Sequence, residues 1–380
     1  MPLESPPPPL RPIRVLAVAG ARPNFMKIAP LMHAFARRPE RFEPILVHTG
    51  QHYDKAMSDS FFRDLGIPEP DVNLGVGSGS HASQTGQVLI KIEELLLERR
   101  PDVVLVVGDV NSTIAATLAA VKLHIPVAHV EAGLRSGDRR MPEEINRVLT
   151  DAVSDWLFTT EPAAEENLLR EGVPAEQIHF VGNVMIDTLV AHRERARTLD
   201  TVERLGLESG GYAVLTLHRP SNVDSAEQLG RLFDVLGRLN RDLPVVFPVH
   251  PRTAKAIEDN LGGRRPDLHL TEPLGYLEFL RLLMDARLVL TDSGGIQEET
   301  TALGVPCLTL RDSTERPVTV SEGTNQIVGT NPEAIEAAIQ AFLAAPRREG
   351  RRPALWDGQA AERIVDILER DVPARSTEQP

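Results

Sequence analysis

Three carboxylates stand where short apolar runs end. Asp109 follows the run 103–107 and Gly108, Glu131 follows the run 127–130, and Glu143 sits behind Pro142 at the start of a helical pattern, with Arg147 one turn later. Carboxylates delivered to successive strand ends can meet around one substrate and divide acid and base roles, provided their surroundings separate their pKa values. One alone is as well explained as a helix N-cap; three along one edge favour proton transfer. Cations accompany them. Gly20-Ala21-Arg22-Pro23-Asn24-Phe25-Met26-Lys27 is a glycine-containing turn that opens a helix and offers Arg22 and Lys27. Two later apolar runs end in His218-Arg219 and His250-Pro251-Arg252, groups suited to neutralise an anion.

The anion site itself is legible at Leu290-Thr291-Asp292-Ser293-Gly294-Gly295-Ile296-Gln297-Glu298-Glu299. A buried strand over 287–291 delivers the chain into a turn where Ser293, Gly294 and Gly295 open a helix. Free backbone N–H groups and the positive end of the dipole then face an anion. Without Cβ atoms at 294 and 295 the backbone can approach a pyrophosphate, and Glu299, about one and a half turns on, reaches sugar hydroxyls. A nucleoside diphosphate suits that combination. Nicotinamide chemistry is disfavoured, because no GxGxxG follows the first strand and no acid ends the second. No metal is expected: His218 and His250 lack a third ligand at metal-like spacing, and His48 and His52 lie across a glycine-containing turn.

The elements that must position these residues follow from periodicity. Apolar runs alternate with helical patterns throughout, the signature of parallel βαβ units. Strands are predicted at 14–19, 44–48, 103–107, 127–130, 156–159 and 178–181, then at 212–217, 245–249, 268–270, 288–291 and 307–310, with helices such as 83–98 and 187–199 between them. The fold class is α/β: two Rossmann-like, doubly wound domains facing a central cleft, with the motifs at the carboxyl ends of the strands where ligands of such folds bind. A charged segment, 192–204, leading to Ser209-Gly210-Gly211 places the boundary within 185–205. The expected division is a tail at 1–12, a first domain at 13–190, a second at 191–365 and a tail at 366–380. The segment 358–370 looks helical and could pack on either domain.

At 380 residues the chain exceeds what one core usually covers. A formal charge of −13 argues against nucleic-acid or anionic-membrane surfaces, so a polyphosphate must be met by local cations. The single cysteine, Cys307, lies in an apolar run and reads as a buried structural thiol. No apolar stretch approaches the roughly 18 residues of a membrane span, and the N-terminus runs into prolines instead of a signal-like core, so a cytoplasmic location is expected.

From about residue 13 to 365 these motifs, with His48-Thr49-Gly50-Gln51-His52-Tyr53-Asp54, His129-Val130-Glu131-Ala132-Gly133-Leu134-Arg135, Pro142-Glu143-Glu144-Ile145-Asn146-Arg147 and Arg311-Asp312-Ser313-Thr314-Glu315-Arg316-Pro317, resemble the non-hydrolysing UDP-N-acetylglucosamine 2-epimerases. The resemblance implies a GT-B-like fold, a homodimer, no cofactor, and reversible conversion of UDP-GlcNAc to UDP-ManNAc. It implies that Ser293, Gly294 and Gly295 hold the diphosphate, Glu299 the ribose, and the segment 274–279, including Phe279, with Arg22 the uracil. Arg147, His250 and Arg316 join the substrate-binding set. Lys27, Asp109, Glu131, Glu143 and His218 fall on catalytic positions. Gln51 and His52 match the region where a second UDP-GlcNAc binds as an allosteric activator. Ala21, Asn24 and Ser221 depart from the Thr, Glu and Glu common in the family, which leaves the hexosamine open.

The implied chemistry is anti elimination of UDP to 2-acetamidoglucal, then re-addition with protonation on the opposite C2 face. Departure of UDP must assist, because the C2 hydrogen is not α to a carbonyl. Alternatives from the same motifs are an epimerase of a modified UDP-HexNAc such as a UDP-2,3-diacetamido-uronic acid, a hydrolysing epimerase, a GT-B glycosyltransferase, or a sugar-nucleotide sensor without turnover.

Overall fold

The computed structural model describes residues 11–20, 22–50, 64–249, 251–261, 267–344 and 350–376. By its contacts the chain divides into two units, one running to Thr188 and resuming at Ala354, the other Leu189–Pro353. In the first, strands β1 (Ile13–Ala19), β2 (Phe42–His48), β3 (Val72–Asn73), β4 (Val103–Val107), β5 (Val127–Ala132), β6 (Trp156–Thr159) and β7 (Ile178–Phe180) form a parallel sheet in the order β3-β2-β1-β4-β5-β6-β7. The order reverses between β1 and β4, so their carboxyl ends flank a topological switch point. Helices α1 (Arg22–Ala36), α2 (His81–Arg99), α3 (Asn111–Lys122), α4 (Pro142–Val153), α5 (Pro162–Arg170) and α6 (Val184–Arg197) connect or follow the strands.

Every residue of β4 and β5 is buried, as expected for strands covered on both faces. On one face Leu16, Val18, Val104 and Val106 meet Val88, Ile92, Leu95 and Leu96 of α2 and the alanines 115, 116 and 119 of α3. The α2 residues recur at helical spacing, so one stripe of that helix covers the sheet. Burying each of its larger aliphatic side chains contributes roughly 1.5–3 kcal/mol.

The second unit holds β8 (Ala213–Thr216), β9 (Val245–Pro248), β10 (His269–Thr271), β11 (Leu288–Thr291), β12 (Cys307–Thr309) and β13 (Asn325–Ile327), parallel in the order β10-β9-β8-β11-β12-β13. Its longer helices are α7 (Ala226–Asp242), α8 (Pro251–Leu261), α9 (Tyr276–Met284), α10 (Gly294–Leu303) and α11 (Pro332–Ala344). Alternate strand residues face opposite cores: Leu215 and Leu290 meet Leu232 and Leu236 of α7, while Val214 and Val289 meet Leu282 and Leu283 of α9.

From sequence, residues 191–365 belong to the second domain and 366–380 to a tail. The contacts instead return the chain to the first unit from Ala354. There α12 (Ala360–Ser376) buries Ile364, Val365, Leu368 and Val372. It joins the end of α1 through Arg38 to Glu362 at 2.8 Å and to Glu369 at 2.9 Å. Asp187 accepts from the first helical N–H groups, Ala360 at 3.1 Å and Ala361 at 2.7 Å, and Trp356 Nε1 donates to the Thr160 carbonyl at 2.9 Å. An amphipathic helix with an acidic face packs on α1 and finds its arginines just past the end of that helix. Two short edge strands, β3 and β13, are absent from the sequence reading. Among the described residues no helix is long and apolar enough to cross a membrane.

Candidate functional site

In the second unit, β11 carries Thr291 to the carboxyl edge of the sheet and α10 starts three residues later. Ser293 is the N-cap in extended backbone, φ −84 and ψ 132, and no side chain caps the first turn. Ser293, Gly294 and Gly295 are partly exposed, whereas Gln297 to Thr301 are buried. A Cβ on Gly294 would lie 2.6 Å from Arg316 Nη1; glycine lets the guanidinium rest against the helix start. Glu298 holds that guanidinium, 2.8 Å from Nε, and Glu315 stands 3.5 Å from Nη1, itself paired at 2.7 Å with Arg311. A cation and a helix N-terminus thus coincide, the arrangement that binds phosphate.

His218 follows β8, the strand beside β11. Its Nδ1 lies 2.6 Å from Asp292 Oδ1; the ring side chain is 56% exposed and the carboxylate wholly buried. Asp292 also accepts from the backbone N–H of His218 at 3.0 Å and of Arg219 at 2.9 Å, and from Asn222 Nδ2 at 3.0 Å. Burial alone would raise the Asp292 carboxyl, but the His218 hydrogen bond and charge, with these other donors, hold it below its ordinary value. A carboxylate at Nδ1 assigns the donor proton there and leaves Nε2 as the outward working atom. On α10, Glu299 is pushed up to about 8 by burial, with Glu298 adding to the rise and a hydrogen bond from Tyr276 opposing it.

In the first unit, Lys27 of α1 and Glu131 at the end of β5 are both buried and ion-paired. Gly108 makes room for them: it adopts φ +66, and a Cβ there would stand 3.1 Å from Lys27 Nζ and 3.7 Å from Glu131 Oε2. Glu131 has φ +72, rare for a residue with a side chain, at a break in the β5–β6 register between Val130 and Ala132. Such strain persists only where the surroundings enforce it, and it turns the carboxylate out of the strand's alternation.

Asp109 is more open, its side chain 23% exposed, with Oδ2 2.6 Å from Arg147 Nη2. Its carbonyl accepts from Asn146 Nδ2 at 2.9 Å. The other end of Arg147 meets Glu144 at 2.6 Å. Glu144 in turn accepts from Ser136 N, Ser136 Oγ and Gly137 N, each at 2.9 Å. Burial would raise the Glu144 carboxyl; these donors and Arg147 hold it below its ordinary value. Two carboxylates of unequal burial, Glu131 and Asp109, therefore stand at the ends of adjacent strands, each with its own cation.

Glu143 lies partly buried in the first turn of α4, whereas the described Arg147 ion pairs run to Glu144 and Asp109. Both residues sit at helical reach of Arg147, so spacing does not choose between them, and the donors of the 136–137 loop do. Phe279, partly buried, packs beside Leu282 and Leu283. Arg22 is the first residue of α1, and its side chain, like His250, Gln51 and His52, lies outside the described residues. Asp292, Glu144, Glu298 and Glu315 complete the two networks and were missed as site residues. For Asp292 a signal existed, an acid ending one strand beside a histidine ending the next. Among the described residues no group of three His, Cys, Asp or Glu side chains could hold a metal.

The family model described as UDP-N-acetylglucosamine 2-epimerase matches residues 33–369. The chain is 43% identical over 365 residues to the UDP-N-acetylglucosamine 2-epimerase of Methanocaldococcus jannaschii, covering 94% of this chain and 99% of that one. It is 42% identical over 360 residues to the UDP-2,3-diacetamido-2,3-dideoxy-D-glucuronate 2-epimerase of Pseudomonas aeruginosa, with 94% and 99% covered. The crystal structure of the M. jannaschii UDP-GlcNAc 2-epimerase in complex with UDP-GlcNAc and UDP superposes with a TM-score of 0.86 over 94% of this chain and 99% of that one. With two parallel doubly wound sheets matching those of a GT-B-like epimerase and the family model spanning most of its length, the chain belongs to the UDP-N-acetylglucosamine 2-epimerase family.

Proposed function

We propose that this protein interconverts UDP-N-acetylglucosamine and UDP-N-acetylmannosamine, without cofactor and without releasing the free sugar. The observation that carries the reading is the pairing of Glu131 with Lys27 and of Asp109 with Arg147 at adjacent strand ends. One carboxylate removes the C2 proton while the C1–O bond to UDP breaks, giving 2-acetamidoglucal. UDP then adds back at C1 as a proton is delivered to the opposite face of C2. Arg316, the first turn of α10 and His218 stabilise the departing diphosphate, and Glu299 takes the ribose. Glu143 remains a third candidate for contact with the sugar.

A second reading is favoured by the P. aeruginosa relative, whose similarity is nearly that of the M. jannaschii enzyme: the substrate is a UDP-2,3-diacetamido-uronic acid. Comparing kcat/KM for the two UDP-sugars decides. A preference of tenfold or more, about 1.4 kcal/mol of transition-state binding, for UDP-GlcNAc supports the first reading, and the reverse preference supports the second. Free ManNAc as product would replace both with hydrolysis.

The same proposal includes a cytoplasmic homodimer, with a second UDP-GlcNAc at the segment holding Gln51 and His52 as activator. Ile145, Leu149 and Val153 form an exposed apolar stripe on α4 that suits a protein partner. Leu149→Glu should convert a dimer to a monomer in sedimentation; a variant that sediments as the wild type places the subunit contact elsewhere.

A further inference from the structure

Behind Glu131 and Asp109 lies a buried pair that the mechanism above does not use. His129, in the middle of β5, is wholly buried. Its Nδ1 lies 2.6 Å from Asp151 Oδ1, and its Nε2 lies 2.8 Å from the Gly108 carbonyl oxygen. A carboxylate and a carbonyl both accept, so the ring is held between two acceptors, one on each nitrogen. The second oxygen of Asp151, near the end of α4, accepts from Gly133 N at 3.0 Å and from Arg135 Nη1 at 2.7 Å. Arg135 is braced from the other side by Glu171 at 2.6 Å. Burial would raise the Asp151 carboxyl, yet the charges of His129 and Arg135 outweigh it and keep the group below its ordinary value.

Each partner of this pair adjoins one half of the acid–base machinery. Gly108 precedes Asp109. Gly133 lies two residues after Glu131, whose left-handed backbone at φ +72 needs enforcement. Helix α4, which carries Asp151, also carries Asn146 and Arg147, the two groups that hold Asp109. We propose that His129 and Asp151 form a positioning pair that fixes the Asp109 turn, the strained Glu131 and helix α4 in one register, so that the two carboxylates address the sugar together. The proposal rests on the reading of Asp109 and Glu131 as the proton-transfer groups. Neither His129 nor Asp151 is asked to touch substrate.

Asp151→Asn keeps the shape and an acceptor for Gly133 while removing the charge that the His129 ring faces. With UDP-GlcNAc its kcat should fall about 10–100-fold, the size expected for losing a hydrogen bond to a charged group. KM and UDP affinity by calorimetry should stay within about threefold of wild type, because the diphosphate groups belong to the other unit. A kcat within twofold of wild type alongside a lowered melting temperature would reduce the pair to a packing feature and overturn the proposal. Should Asp151→Asn not fold, Arg135→Met, which removes the cation behind Asp151 and leaves the His129 bond, carries the same split between kcat and KM. An activity-independent arm is ¹⁵N NMR of the His129 ring: a hydrogen-bonded ring signal that moves on Asp151→Asn or Arg135→Met is expected, and a signal unmoved by either contradicts the pairing. If wild-type protein does not turn over UDP-GlcNAc, the functional reading falls by itself while the ring measurement still decides the pair.

Discussion

Asp109 and Glu131 share a sheet edge and differ in what surrounds them, which is why either can be tested alone. Asp109→Asn and Glu131→Gln should each lose about 10²–10⁴-fold in kcat, the usual range for a general acid or base, while binding UDP as the wild type does. Wild-type turnover in one variant would remove that residue from proton transfer. Glu299 gives a prediction in pH. Burial raises its carboxyl to about 8 in the free protein, above the unfolded value, so the stability linked to this group is greatest below that unfolded value and is lost as pH rises toward 8. Ribose hydroxyls donating to the carboxylate favour its ionised form. UDP binding at neutral pH should therefore release protons, and affinity should rise from pH 6 to pH 8. Calorimetry in buffers of different ionisation enthalpy reads this directly; no proton release would place the ribose on another group. At this scale the candidate residues were legible because acids and histidines ending apolar runs are rare and conspicuous. Their partners were not: Glu144 rather than Glu143 meets Arg147 because of donors in a loop at 136–137, which no spacing in the sequence encodes.

At the scale of elements, what matters is how strand ends and helix starts coincide. At the α10 start Gly294 admits Arg316 against the first turn. Gly294→Ala should weaken UDP binding through displacement of that guanidinium, and Ser293→Asp, which adds negative charge to the same turn, should abolish it. Unchanged UDP affinity in Ser293→Asp would refute the phosphate assignment. Periodicity located β4 and β6 to the residue and β11 to within one, since fully buried parallel strands are continuous apolar runs. It stopped β5 at Val130, because the acid at 131 looks like a strand terminus; the chain in fact goes on through a strained residue to Ala132. The two-residue β3 and three-residue β13 carry too few side chains for any period to register.

For the whole molecule, the alternation of runs and helical patterns sufficed for two parallel sheets, because each sheet is assembled from neighbouring βα units. The destination of the last helix was beyond that reasoning. Its apolar face fits any core; Arg38, just past α1, meeting Glu362 and Glu369, and Asp187, accepting from Ala360 and Ala361, select the first unit. Reversible chemistry at C2 of a UDP-sugar is tested by proton NMR of UDP-GlcNAc incubated with the purified, metal-free protein in D₂O. UDP-ManNAc is expected, with deuterium entering C2 of both epimers and UDP-sugar conserved. Absence of C2 exchange in UDP-GlcNAc, or accumulation of free ManNAc with UDP, would contradict it.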